Sequence, residues 1–306
     1  MSDKIFIALS TFAKNGKKPI DLLEKSRIAY YVNPLGRRII EKEIIQMGQN
    51  STGIVAGVEP YTKDVLSKLP KLKCISRVGV GIDNIDQNYA KKRDIIICNT
   101  PDVVIQPVAE LALALIFDLL KKTTLHTNLM KSRKWEKHVG NLLCGKIVGI
   151  IGTGRIGKKV SEILTTIGAN VIACDPYQDH EWADLNQIKY VTKQNLFIKS
   201  DIISLHLSPD GSNRPIISNK EIEQMKTGII IVNTSRGQFI DEQALLEGLK
   251  KNKIGGIGLD VYLNEPYNGN LIQFNNVVLT PHVATLTKES RLEMEVEATQ
   301  NLLNHL

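Results

Sequence analysis

The stretch Lys146-Ile147-Val148-Gly149-Ile150-Ile151-Gly152-Thr153-Gly154-Arg155-Ile156-Gly157 decides the fold. Its first six residues are an apolar run of strand length, and a G-x-G-x-x-G turn follows at once. Ile156, Val160, Ile163, Leu164 and Ile167 then recur at spacings of three and four, which predicts a helix. Gly168 suits the helix exit. Val171-Ile172-Ala173-Cys174 reads as a second strand, closed by Asp175. Strand, glycine turn, helix, strand and acid, in that order, form the dinucleotide-binding βαβ fingerprint. Gly152 permits the tight turn, Gly154 lets a pyrophosphate approach the backbone, and Gly157 lets helix and strand lie close. The helix start, at Arg155 and Ile156, offers unpaired N–H groups and a partial positive charge to phosphates. Asp175 is placed to accept hydrogen bonds from the adenosine ribose. A carboxylate there repels a 2′-phosphate, and Pro176-Tyr177-Gln178 bring no Arg, so NAD is expected rather than NADP.

Outward from this unit, both flanks alternate strand and helix. Before it, strands are predicted at Ile5–Leu9, Arg27–Val32, Gly53–Ala56, Cys74–Arg77 and Ile95–Cys98. Helices are predicted at Pro19–Lys25, Glu41–Gly48, Thr62–Leu69 and Ile85–Arg93. A long Ala/Leu-rich helix, Val108–Leu120, follows Asn99-Thr100-Pro101; its apolar character suggests burial between domains or against a second subunit. Another helix covers Thr123–Arg133. After Asp175, strands are expected at Lys189–Val191, Asp201–Leu207, Ile229–Asn233, Gly256–Val261 and Val277–Thr280. Asp241 is read as the cap of helix Glu242–Lys250, and a final helix runs over Thr287–Leu303. The fold class is therefore α/β, with doubly wound parallel sheets.

The length of 306 residues suits two domains, and 42% hydrophobic with 23% charged residues is ordinary for a globular protein. The run Met1-Ser2-Asp3-Lys4 leads straight into a strand without signal-peptide anatomy, and Leu111–Leu120 is too short to span a bilayer. A soluble cytoplasmic protein is expected, with no membrane partner. The net charge of +7 comes from scattered basic residues without a nucleic-acid-binding motif. It fits a surface that attracts small anions. Cys74, Cys98, Cys144 and Cys174 form no metal-binding pair; all four are expected to be buried free thiols, and no metal site is foreseen.

Chemistry-bearing residues gather at predicted strand ends, where open parallel sheets bind ligands. Arg236 follows Ile229–Asn233, Asp260 closes the next strand and His282 follows the last. Taken singly, Arg236 reads as a loop brace, His282 as structural and Glu265 as a solvated acid. Together they suit oxidation of a 2-hydroxy acid. His moves the hydroxyl proton, a carboxylate orients its ring, and Arg holds the substrate carboxylate and stabilises charge on the neighbouring oxygen. The loop Ser76-Arg77-Val78-Gly79-Val80-Gly81 reads either as an anion-holding backbone loop or as a plain turn. Asn33-Pro34-Leu35-Gly36-Arg37-Arg38 is a second basic loop at a strand end.

With these residues in view, the chain resembles the D-isomer-specific 2-hydroxyacid dehydrogenases over nearly its whole length. The matching segments are VGVGIDNID at 78–86, NTP at 99–101, VAE at 108–110, GKIVGIIGTGRIG at 145–157, NTSRG at 233–237, GLDVYLNEP at 258–266 and TPHVA at 280–284. The resemblance implies a Rossmann-type NAD-binding domain, residues 102–286, inserted into a flavodoxin-like substrate domain, residues 1–101 plus 287–306. It implies a catalytic trio of Arg236, Glu265 and His282. Val80 and Gly81 would hold the substrate carboxylate through backbone N–H groups, and Asp260 would meet the nicotinamide carboxamide. With Gly152, Gly154, Arg155, Ile156, Gly157, Asp175, His206 and Thr234, Asp260 completes the expected cofactor-binding set. Members are usually homodimers built on the nucleotide domain. Among them the phosphoglycerate-dehydrogenase type looks most similar, and there Arg77 would meet a phosphate or second carboxylate. Ala284 stands where a Gly is commoner. With the sequence ending at Leu306, soon after the last helix, no appended regulatory domain is expected. Alternatives within the family are a non-catalytic NAD-sensing co-repressor type and a formate or phosphite dehydrogenase relative.

Overall fold

The computed structural model describes residues 3–209 and 214–306; Met1 and Ser2, part of the N-terminal expectation, lie outside them. The elements in chain order begin with β1 (Lys4–Ile7), α1 (Lys18–Ser26), β2 (Ala29–Val32), α2 (Glu41–Gly48), β3 (Gly53–Ala56) and α3 (Lys63–Ser67). They continue with β4 (Cys74–Arg77), α4 (Gln87–Lys92), β5 (Ile96–Cys98), α5 (Ile105–Lys121), α6 (Thr123–Lys131), β6 (Ile147–Ile151) and α7 (Arg155–Thr166). Next come β7 (Asn170–Cys174), α8 (His180–Leu185), β8 (Lys189–Tyr190), α9 (Lys193–Lys199), β9 (Ile202–Leu205), α10 (Asn219–Gln224) and β10 (Ile229–Asn233). The series closes with α11 (Glu242–Lys250), β11 (Ile254–Leu259), β12 (Val277–Leu279) and α12 (Lys288–Leu303).

The chain forms two compact units, Met1–Pro107 with Thr285–Leu306, and Val108–Ala284. The seams lie between Pro107 and Val108 and between Ala284 and Thr285. At the second seam, the N–H of Ala284 is tied to Asp260 of its own unit. At the first, α5 has already begun at Ile105.

The first unit carries a five-stranded parallel sheet in the order β2-β1-β3-β4-β5, the flavodoxin-like doubly wound order. All four residues of β3 are buried, as an interior parallel strand requires. Thr62 caps α3 by accepting from the N–H of Val65, and Asp86 caps α4 by accepting from Tyr89. Helix α12 packs on this sheet: a Cβ on Gly53 would meet Leu306 at 2.8 Å and Leu302 at 3.0 Å. The buried Glu295 of α12 accepts a 2.7 Å hydrogen bond from the N–H of Ala13 and pairs with Arg291 at 2.8 Å.

The second unit carries a seven-stranded parallel sheet in the order β12-β11-β10-β9-β6-β7-β8. The order reverses between β6 and β9, which is the topological switch point where open α/β sheets bind ligands. Helix α5 is the long apolar helix expected from the sequence. Its apolar side packs on this unit's sheet, with Leu115 and Leu119 against Gly256 and Gly258. The cysteine expectation fails in part. Cys74 is buried, Cys98 and Cys174 are half-buried, and Cys144 is exposed because it lies in the loop before β6 rather than in a strand. Helices α8, α9 and α10 were not foreseen: each spans two turns or fewer, too little for an apolar period.

Candidate functional site

In the second unit, the glycine turn lies at the switch point. Gly152 has φ +94°, and a Cβ there would sit 2.5 Å from the carbonyl oxygen of His206. A Cβ on Gly157 would sit 1.9 Å from the carbonyl oxygen of Gly152. Both glycines are thus demanded by the protein's own packing. Gly154 differs: nothing lies within 4 Å of its absent Cβ. It is the N-cap of α7 and has no side chain to cap the helix, so the first-turn N–H groups, from Arg155 onward, lack internal partners. That is a cradle with an uncapped positive helix end, the arrangement an anionic pyrophosphate needs.

Asp175, at the end of β7, reaches back to this turn. Its carboxylate accepts from the N–H of Thr153 at 2.6 Å and from the N–H of Tyr177 at 2.7 Å. Each oxygen keeps a further lone pair for a ribose hydroxyl. His206, at the end of β9, borders the same turn, its Cβ lying 3.3 Å from where a Cβ of Gly157 would be. Its Nε2 lies 2.9 Å from Ser204 Oγ, and burial pushes the imidazole down to about 4. Thr234 Oγ1, after β10, is buried with no hydrogen-bond partner among the described residues. An unpaired buried hydroxyl costs about 1–3 kcal/mol, so it points to a group that a ligand would satisfy. The residues present therefore fit a dinucleotide.

The ends of β10, β11 and β12 lie side by side, with Asn233 beside Leu259 and Leu259 beside Leu279. Strand spacing of about 4.8 Å then sets the outer two ends roughly 10 Å apart. Arg236 follows the first, Asp260 the second and His282 the third. The loop bearing Arg236 is shaped by the buried Asn233, whose Oδ1 accepts from the Ser235 N–H and hydroxyl and whose Nδ2 donates to the Arg236 carbonyl. The Arg236 guanidinium is half-buried and donates to the Ser235 carbonyl at 2.8 Å.

His282 sits at φ +55°, a left-handed conformation that few non-Gly residues adopt. Its Nδ1 lies 3.0 Å and 3.2 Å from the two carboxylate oxygens of Glu265. The N–H of Tyr262 donates to Glu265 Oε1 at 3.1 Å and orients that carboxylate. Asp260 has no solvent exposure. Its carboxylate accepts from Thr280 Oγ1 at 2.6 Å, Val283 N–H at 2.8 Å and Ala284 N–H at 3.0 Å. These bonds anchor the His282 loop at both ends and occupy most of the acceptor capacity foreseen for the carboxamide. Tyr262 joins the two strand ends by donating to the carbonyls of Leu259 and Thr280, and it stacks on Tyr267 at 4.4 Å. Burial raises the Tyr262 hydroxyl well above its ordinary range. Tyr262 and Thr280 were missed in the sequence because they act across 18 and 20 residues; Asn233 bonds two and three residues on, a local turn signal that was not read.

In the first unit, the loop after β4 turns at Gly79, φ +128°. Val80 and Gly81 are half-buried, and no acceptor among the described residues is bonded to their N–H groups. Arg77 donates to the Val78 carbonyl at 2.7 Å, and its guanidinium lies where a Cβ of Gly79 would be. It is turned onto its own loop. Arg37 pairs with Glu43 at 2.6 Å, and Arg38 donates to the Val58 carbonyl.

A doubly wound sheet with a dinucleotide turn at its switch point and an Arg, a Glu–His pair and a buried Asp on neighbouring strand ends defines a nucleotide-dependent oxidoreductase. Comparison narrows this. Residues 113–284 match the family model described as D-isomer specific 2-hydroxyacid dehydrogenase, NAD binding domain. The hydroxypyruvate reductase of Thermotoga maritima is 38% identical, over 83% of this chain and 84% of its own. The D-3-phosphoglycerate dehydrogenase of Archaeoglobus fulgidus is 36% identical over 94% of this chain, which spans only 55% of that relative. The crystal structure of a glyoxylate reductase from Paecilomyes thermophila superposes with a TM-score of 0.88 at 29% identity, covering 98% of this chain and 94% of that one. The chain belongs to the D-isomer-specific 2-hydroxyacid dehydrogenase family, and it is an NAD-dependent oxidoreductase. Among the described residues, no helix is long and apolar enough to cross a membrane, and no cluster of three metal-ligating side chains occurs.

Proposed function

We propose that the protein interconverts a short D-2-hydroxy acid and its 2-keto acid, with His282 as the acid/base, Glu265 as its partner and Arg236 as the carboxylate clamp. The observation that carries this is the 3.0 Å contact between His282 Nδ1 and Glu265, on the sheet edge that also bears Arg236. Donation from Nδ1 to Glu265 leaves Nε2 as the basic nitrogen. Nε2 takes the substrate hydroxyl proton during oxidation and returns it to the carbonyl oxygen during reduction. Glu265 stabilises the imidazolium between the two events. Arg236 fixes the carboxylate through paired N–H donors and stabilises charge on the adjacent oxygen. Val80 and Gly81 hold the carboxylate through their N–H groups. When bound at the glycine turn, NAD supplies the acceptor for the hydride. Gly152, Gly154, Arg155, Ile156 and Gly157 seat the pyrophosphate, Asp175 the ribose, and His206, Thr234 and Asp260 the nicotinamide half.

3-Phosphoglycerate is the form of the substrate that Arg77 would serve, with its guanidinium released from the Val78 carbonyl toward the phosphate. A panel of 3-phosphoglycerate, D-glycerate, glycolate, D-lactate, formate and phosphite, followed by NADH absorbance, tests the whole reading. Turnover of a D-2-hydroxy acid is expected. Activity on formate or phosphite alone, or on nothing, would remove it, and a tighter fit for NADP would remove the role of Asp175. An Arg77→Ala variant with unchanged KM for 3-phosphoglycerate would exclude the phosphate role.

A homodimer through the second unit goes with this reading. The support is a run of exposed apolar side chains on and after α6: Met130, Trp135, Val139 and Leu142, from 54% to 89% exposed. Such a patch is costly to leave in water. A monomer in sedimentation at micromolar concentration would end that part. A reducing cytoplasmic setting suits the four free cysteines.

A further inference from the structure

The loop after β4 owes its shape to groups outside itself. Gly79 donates its N–H to Thr100 Oγ1 at 2.8 Å, and its carbonyl accepts from the Thr100 N–H at 3.1 Å. Thr100 is fully buried, so this two-point clamp is rigid. One residue on, Asn99 Nδ2 donates to the Val80 carbonyl at 2.8 Å. The carbonyl of the peptide unit between Val80 and Gly81 is thus fixed, and peptide planarity fixes the N–H of Gly81 with it. Asn99 is itself held from above the sheet. Asn301 of α12 donates its amide to the Asn99 carbonyl at 3.2 Å.

We propose that Asn301 is a positioning residue for substrate binding. It seats Asn99, Asn99 orients the Val80–Gly81 peptide, and that peptide presents the Gly81 N–H to the carboxylate of the 2-hydroxy or 2-keto acid. The inference rests on the proposed role of Val80 and Gly81. It gives the C-terminal helix a part in recognition that packing alone does not require. Met294, Ala298 and Leu302 already bury the packing face of α12, whereas Asn301 is half-buried and polar. Helix docking and loop positioning are therefore separable.

The test uses the full chain with bound NADH and oxamate, an unreducible 2-keto acid analogue, as the probe. Asn301→Ala removes the donor. Asn301→Asp keeps the size and sets an acceptor against the Asn99 carbonyl. Both are expected to weaken oxamate binding and raise the KM for the 2-keto acid about three- to tenfold, the range for a neutral hydrogen bond. NADH affinity and kcat should stay near wild type, a split that mere destabilisation of α12 would not give. Gly79→Ala, which forces a Cβ against the Arg77 guanidinium at a positive φ, disturbs the loop directly. Weakening by all three variants supports the inference. Weakening by Gly79→Ala alone overturns it and leaves the carboxylate role of the loop standing. No weakening by any variant overturns that role and the inference together. Weakening by the Asn301 variants alone overturns the inference, because the loop would not be the route.

Discussion

The glycine turn and the β10–β12 edge belong to the same seven-stranded sheet, yet they are built from opposite materials. At the turn, the geometry lies in what is missing: Gly154 offers bare backbone and open space, and the helix above it has no cap. At the edge, the geometry lies in side chains, and each is held by others. Glu265 holds His282, Tyr262 holds Glu265, Asp260 ties down the His282 loop, and Asn233 folds the loop of Arg236. A backbone site binds a group that every dinucleotide shares and needs little adjustment. A side-chain site must hold a proton at one atom within a few tenths of an ångström, and that precision demands a supporting network.

Removing the proposed proton carrier should give the largest effect. His282→Asn is the cleaner variant, since Asn tolerates the φ of +55° that Ala would resist. Its kcat is expected to fall by about two to four orders of magnitude, the usual cost of a lost acid/base. Thermal stability should hardly change, because the His282 side chain is 46% exposed. Wild-type turnover in this variant would make the edge a structural feature and erase the contrast with the turn.

A pair of glycine substitutions sharpens the contrast inside the turn. Gly157→Ala drives a Cβ to 1.9 Å from the Gly152 carbonyl oxygen, so backbone must move. A stability loss of about 1–3 kcal/mol is expected, as for overpacking elsewhere. Gly154→Ala meets open space at an ordinary φ of −66°. It should alter stability by no more than about 0.5 kcal/mol. Its KM for NADH should rise about tenfold or more, equivalent to roughly 1.4 kcal/mol of binding. Equal melting losses for the two variants, or an unchanged KM in Gly154→Ala, would show that both glycines serve packing only.

The same contrast explains what the sequence revealed. A turn made of glycines writes its geometry into residue type, so the fingerprint from Lys146 to Asp175 was legible as it stands. Arg236, Asp260 and His282 were locatable because apolar strands announce their own ends; Glu265, in the loop after the second, came with the family resemblance. Their supports were not: Tyr262 and Thr280 are common residues whose hydrogen bonds depend on three-dimensional proximity, and the local turn bonds of Asn233 went unread. The ties of Asp260 to the His282 loop were equally hidden. Helices α8, α9 and α10 had a signal that periodicity overlooks. Asp179, Thr192 and the Ser218–Glu221 capping box mark their starts. Exposure of Cys144 was unreadable because a neighbouring apolar residue says nothing about which way a loop faces water.

His206 should give the smallest effect and probes the turn from its side-chain border. Burial disfavours its charged form, so its pKa falls from 6.5 to about 4. At neutral pH it therefore borders the turn as an uncharged ring and adds no cation there. The sign of the linked stability follows. Between pH 6.5 and about 4 the unfolded chain binds a proton that the folded chain refuses, so this contribution is complete above 6.5 and is lost as pH falls toward 4. Relative to His206→Asn, the wild type should lose stability over that acidic window and not above it. Nitrogen NMR of the His206 ring should show a neutral imidazole until the pH nears 4. Titration of that ring between pH 6 and 7 would mean a charged group borders the turn, and the division between a backbone site and a side-chain site would have to be redrawn.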